Sequence, residues 1–219
     1  MARSGKRARN LKALLSRVAD VREKPTVPRP AWDDLVAAGV AEEVTRVYRM
    51  LGGVHEQPRV APGPWDLQIG EVVVELDEEN HFNRFRTLTL ASPVYRHLDH
   101  VDTGAYRELC ANYEAACLTY GGYWTTPSSE REFGPAGRRP ELSGSGAPRW
   151  KQRAFYDFIK DLTSTVGPRR VVRVSIYEPV ACRGNAHTLA ELLRRGDIEQ
   201  LCSDGWAQAI ANRLGVRPD

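Results

Sequence analysis

Between Trp65 and Asp77 the chain reads Trp-Asp-Leu-Gln-Ile-Gly-Glu-Val-Val-Val-Glu-Leu-Asp. Two β-rich runs are held apart by Gly70-Glu71 alone, and a Gly-X pair in that setting predicts a tight hairpin with a type II′ turn. The register follows by counting outward: Ile69 opposite Val72, Gln68 opposite Val73, Leu67 opposite Val74 and Asp66 opposite Glu75. Because strand side chains alternate, one face carries Trp65, Leu67, Ile69, Val72, Val74 and Leu76 and must be core. The other carries Asp66, Gln68, Val73, Glu75 and Asp77. Opposed carboxylates repel, so Asp66 and Glu75 need a compensation: a basic side chain, a shared proton, or a divalent cation bridging the oxygens. Three oxygen donors converging on one spot suit Mg²⁺. On repulsion alone, truncating one of the two acids is expected to leave folding intact or improved.

The rest of the chain reads as an α/β protein. With 219 residues, 42% of them hydrophobic, it can bury a sizeable core. No stretch is long and apolar enough for a membrane span, and no secretory h-region stands in the first thirty residues. Cys110, Cys117, Cys182 and Cys202 form no CxxC pair, so a reducing cytoplasm is the expected compartment. Apolar residues Val36, Val40, Val44, Val47, Tyr48 and Leu51 recur at helical spacing over 31–51, with Gly52-Gly53 as the stop. Glu43 sits on that stripe, where a carboxylate either reaches out to cap a neighbour or points inward as a functional acid. A short strand is expected at Gln57–Val60. Helices are expected over 81–90, 103–120, 150–162, 188–195 and 204–214, and a strand over 170–177. Cys110 and Cys117 share one helical face as buried structural thiols. Residues 125–149, rich in Gly, Pro and Ser, are expected to be a flexible loop.

The run from Trp65-Asp66 through Val74-Glu75-Leu76-Asp77-Glu78-Glu79-Asn80-His81 resembles the Vsr-like branch of the PD-(D/E)XK nuclease superfamily. That resemblance implies a restriction-endonuclease-like core of a helix, three strands, a helix and a strand, with a mixed sheet flanked by helices and an acidic cluster on the central hairpin. It implies that 31–219 is one nuclease-like domain, with 31–51 as its first helix and 94–149 as an insertion. Carried over, Asp66 and Glu75 become ligands of Mg²⁺ or Mn²⁺, with the carbonyl of Leu76 beside them. Glu43 becomes the helix-borne acid, and His81 takes the pattern's histidine. Asp77 stands where most of the superfamily has lysine. Lys151 is then a migrated lysine, and Gln152 and Tyr156, four apart, resemble a Gln-x-x-x-Tyr element found beside the acids.

Charge points the same way. Residues 1–30 carry nine Lys/Arg against two acids, net +7, while the other 189 residues sum to −4. Ending in three prolines, this segment reads as a disordered basic arm, in which 11–19 could form a short helix that nothing obliges to dock, and whose Arg3, Lys6, Arg7 and Arg9 would hold phosphates. Arg84 and Arg86 are expected to join them. The expected function is metal-dependent cleavage of DNA in repair, restriction or mobile-element defence. The alternatives are a catalytically inactive relative that binds nucleic acid or a protein partner, and a small-molecule hydrolase using the same carboxylates.

Overall fold

The computed structural model describes residues 5–98, 100–119, 124–143, 146–182, 185–194 and 204–215. The chain divides into two compact units, each built from separated segments. Unit 1 takes Met1–Val27, Pro64–Asp77 and Arg169–Asp219; unit 2 takes Pro28–Gly63 and Glu78–Pro168.

Unit 1 is a mixed α/β structure. Helix α1 (Lys6–Leu15) leads into β1 (Val21–Glu23), followed later in the chain by β2 (Leu67–Ile69), β3 (Val72–Asp77) and β4 (Arg170–Ser175). The four strands form one sheet in that order. β1 and β3 are antiparallel to β2, and β4 is parallel to β3. The hairpin register is the one the turn dictates: Leu67 faces Val74, Gln68 faces Val73 and Ile69 faces Val72. Gly70 supplies the positive φ, +54°, that the first loop position requires. A second hairpin, β5 (Pro179–Cys182) with β6 (Asn185–Thr188), precedes α9 (Leu189–Arg194) and α10 (Asp204–Leu214); the sequence reading assigned no strands there. Trp65, Val73 and Val171 pack together with Val27 against them, and the Trp65 indole Nε1–H donates to the Val27 carbonyl at 3.2 Å.

The basic arm is corrected by this structure. Ala8, Leu11, Leu14 and Leu15 of α1 are buried, and α1 packs on β1, α9 and α10. Asn10 Nδ2 donates to the Leu193 carbonyl at 2.8 Å, and Arg17 pairs with Asp204 at 2.9 Å. Leu11, Leu14 and Leu15 recur at i, i+3 and i+4, an apolar helical stripe that outweighs the charge around it. Residues 21–23 extend the sheet. Residues 1–4 lie outside the described residues.

Unit 2 is helical: α2 (Trp32–Ala37), α3 (Ala41–Met50), α4 (Arg84–Thr89), α5 (Thr103–Thr119), α6 (Pro127–Phe133), α7 (Pro148–Asp161) and α8 (Thr163–Val166). The helix expected over 31–51 is two, because Gly39 at φ +71° breaks it and leaves Val36 53% exposed. Gln57–Val60 is not a strand, and 81–90 is a 3-10 turn (Glu79–His81) followed by α4. Asn83 caps α4 by accepting from the amides of Phe85 and Arg86 at 3.1 and 3.3 Å. Within the expected loop 125–149, residues 127–133 are helical, because Thr126 and Ser129 form a capping box ahead of Pro127 at the first helical position. Tyr48, Phe133 and Phe155 pack ring against ring, with centroids 5.2 to 6.4 Å apart. No helix among the described residues is long and apolar enough to cross a membrane.

Candidate functional site

The expected acidic face lies wholly within unit 1. Asp66 ends its strand one residue before β2, and its Oδ2 accepts from the Leu76 amide at 2.9 Å. The carboxylate thereby continues the β2–β3 ladder where the backbone has stopped. Asp66 is partly buried; Glu75 and Asp77 are buried, at 3% and 0% exposure. In the parallel ladder Glu75 is aligned with Arg173 of β4, so both project from the same face. Arg173 Nη1 donates to Asp77 Oδ1 at 2.7 Å, with both side chains 1% exposed.

Arg173 is thus the basic side chain foreseen as one way to offset the carboxylates, and the sequence reading did not name it. Asp77, expected to join the acids in catalysis, is instead held in a buried ion pair. Asp66, just ahead of β2, and Glu75 of β3 carry hard oxygen donors, a chemistry that fits a hard divalent cation. With Asp77 engaged, the fit rests on those two carboxylates and the Leu76 carbonyl.

The remaining expected residues lie in unit 2. Glu43 is bidentate with Arg46 at 2.6 Å and accepts from Ser92 Oγ. The Arg46 guanidinium holds its carboxyl below the usual range against an opposing effect of burial. Glu43 therefore caps neighbours, the first of its two readings. His81 donates from Nδ1 to Asp157 Oδ2 at 2.8 Å, and its Nε2 accepts from Arg153 Nη1 at 2.8 Å. An arginine can only donate, which assigns the Nδ1–H tautomer. Both ring nitrogens are engaged, so in this arrangement His81 is a link in a network and has no lone pair for a general base.

Lys151 is buried with its Nζ over the Phe85 ring at 5.6 Å, and burial lowers its pKa. Gln152 accepts from Arg149 at 2.9 Å and donates to Ser128 Oγ at 3.2 Å. The Tyr156 hydroxyl donates to the Glu132 carboxylate at 3.0 to 3.2 Å; burial, then the Glu132 charge, raises its pKa. Gln152 and Tyr156 do share a face of α7, as their spacing requires.

The expected phosphate contacts need two corrections. Arg86 is 1% exposed and lies inside unit 2, where its Nη2 donates to Asp161 at 2.6 Å and its Nη1 to Tyr95 and Thr89. Arg84, exposed, is clasped by Glu114 at 2.7 and 2.9 Å. Residues two apart on a helix face opposite sides, which separates the fates of Arg84 and Arg86. Lys6 and Arg9 are exposed on α1 and Arg7 is partly so, while Arg3 lies outside the described residues. Cys110 and Cys117 are buried and not in disulfides, and burial pushes Cys117 up to about 12, which removes it from nucleophilic chemistry.

The molecule is thus a mixed α/β protein whose central hairpin gathers carboxylates around a buried arginine. By sequence it belongs to a family of unknown function (DUF7255), whose model matches residues 46–195. That span takes in the hairpin, α7 and β4. No curated protein and no solved structure matches the chain.

Proposed function

We propose that this protein is a metal-dependent endonuclease acting on the phosphodiester bonds of DNA. One observation carries the reading: Asp66 is tied to the Leu76 amide beside Glu75, on a hairpin whose second strand pairs in parallel with β4. Chain order adds support. With the helices between β1 and β2, between β3 and α7, and after α7 set aside, the order α1, β1, β2, β3, α7, β4 agrees with the helix, three strands, helix and strand that the resemblance implies. Its first helix is then α1, not residues 31–51.

On this reading Asp66, Glu75 and the Leu76 carbonyl would hold Mg²⁺ or Mn²⁺. Such a cation supplies a Lewis acid that polarises a phosphoryl oxygen and lowers the pKa of a bound water. The chain's own part is to orient the two carboxylates. The Leu76 amide fixes Asp66, and Arg173 draws Asp77 into an ion pair beside Glu75. Arg173 also brings a positive charge to the strand face where the superfamily's lysine is missing.

The Asp77–Arg173 pair favours a second reading, a catalytically inactive relative that binds nucleic acid, because the arginine already offsets carboxylate charge without a metal. Incubation of supercoiled plasmid with the protein in Mg²⁺, Mn²⁺ or EDTA separates the two. Nicking that needs metal and vanishes in Asp66→Asn and Glu75→Gln supports the nuclease. Retained DNA binding with no nicking under any metal rejects it in favour of the inactive relative.

A further inference from the structure

Most arginines of the ion pairs described above have found a carboxylate: Arg17, Arg46, Arg84, Arg86 and Arg173 each hold one. Two on α7 have not. Arg149 and Arg153 stand four residues apart, hence on one helical face, and both are partly buried. Arg149 Nη1 donates to Gln152 Oε1 at 2.9 Å, and Arg153 Nη1 donates to His81 Nε2 at 2.8 Å. Both acceptors are neutral. Among the described residues neither arginine forms an ion pair.

The neighbouring carboxylates Asp157 and Glu132 act on Arg149 through their charges, against burial and Arg153, but are hydrogen-bonded elsewhere. Asp157 accepts from His81 Nδ1, and Glu132 accepts from the Tyr156 hydroxyl. Arg149 is lowered in pKa, by burial first and by the Arg153 charge second. Two cations side by side and partly removed from water are unfavourable unless an anion joins them. His81 contributes to this arrangement: by accepting at Nε2 it orients the Arg153 guanidinium and leaves its other N–H groups free to donate.

We propose that Arg149 and Arg153 form a binding site for a phosphate-type oxyanion in unit 2. Two planar guanidinium forks suit the tetrahedral oxygens of a phosphate group, to which arginine donates in pairs. The proposal goes beyond the nuclease reading, because it needs neither the hairpin carboxylates nor a metal. The same chemistry is offered by a free phosphate, a phosphomonoester or a nucleic-acid backbone.

The test is calorimetric titration with inorganic phosphate at ionic strength balanced with chloride, alongside thermal melts. Wild type should bind phosphate and melt higher in its presence. Arg149→Gln and Arg153→Gln should each weaken binding by about tenfold or more, the loss of a charge-assisted contact, while Arg96→Gln, an exposed control, should not. Phosphate should raise the melting temperature of wild type more than that of either glutamine variant; a merely structural pair would leave that gain unchanged. Competition by an oligonucleotide lacking terminal phosphates supports the site with a backbone as its source. Competition by phosphomonoesters alone supports it with a small phosphorylated ligand. Absence of a phosphate effect on wild type overturns the proposal. So does loss of phosphate binding in Asp66→Asn, which would place the anion at the hairpin. A plasmid that is never nicked, together with intact phosphate binding, would sink the nuclease reading and leave this site standing.

Discussion

Two buried arginine–aspartate pairs, one in each unit, are alike in burial and unlike in surroundings. In unit 2 Asp161 accepts from both Arg86 and the Tyr95 hydroxyl, at 2.6 Å each, and Arg86 lies over the rings of Tyr95 and Tyr106. That pair is wrapped by aromatic rings and hydroxyls. In unit 1 Arg173 serves Asp77 while aligned with Glu75, so two carboxylates share a strand face with one guanidinium. The first arrangement is a structural staple. The second sets two carboxylates beside one guanidinium on a sheet face, the arrangement on which the proposed metal site draws.

The comparison breaks most sharply at the arginines. Arg86→Met should destabilise by about 3–5 kcal/mol, because it strands a buried aspartate, read as a shift in the urea midpoint at constant slope. Arg173→Met should destabilise as well, but millimolar Mn²⁺ should restore part of the loss by lying against the freed carboxylates. Equal, metal-independent losses in both variants would erase the distinction drawn here.

A smaller effect separates the two roles of Asp66. Asp66→Asn keeps an acceptor for the Leu76 amide and should change stability by less than about 0.5 kcal/mol, whereas Asp66→Ala should lose about 1 kcal/mol. The expectation that alanine would leave the fold intact or firmer rested on repulsion alone, and the Leu76 hydrogen bond reverses it. Equal stability of the two variants in denaturant titrations would mean the bond contributes nothing.

The smallest effect lies at Glu43. Its carboxyl is lowered by Arg46, so its contribution is present above the ordinary glutamate range near 4.5 and lost as pH falls through the lowered value. The pair is partly exposed, so the difference between wild type and Glu43→Gln should stay under about 1 kcal/mol at pH 7 and shrink as the solution is made acid. Melts from neutral into acid solution check the sign.

How legible this was from sequence depends on how local each determinant is. Gly70-Glu71 sets its register within a few residues, so the pairing of Leu67, Gln68 and Ile69 could be counted; Trp65, ahead of β2, escapes the alternation and packs with Val73 and Val171, not on the face expected for it. The arm misled because charge was weighed above the spacing of Leu11, Leu14 and Leu15, and because β1 is only three residues long. Arg173 meets Asp77 across 96 positions; no spacing rule reaches that far. Arg86 departs from the expectation shared with Arg84 because helical geometry sets the two members of an Arg-x-Arg pair on opposite sides.

The interleaving of the two units has a consequence for how the chain comes to be folded. β3 finds its parallel partner only at residue 170, with most of unit 2 spelled out between them. On the ribosome the β1–β2–β3 meander therefore emerges with one edge open, bearing the Glu75 and Asp77 carboxylates. Those charges discourage edge-to-edge association while the edge waits. Glu75, one of the two acids of the candidate site, thus acts earlier, together with Asp77, as a guard for an unfinished sheet in the interval before β4 closes it.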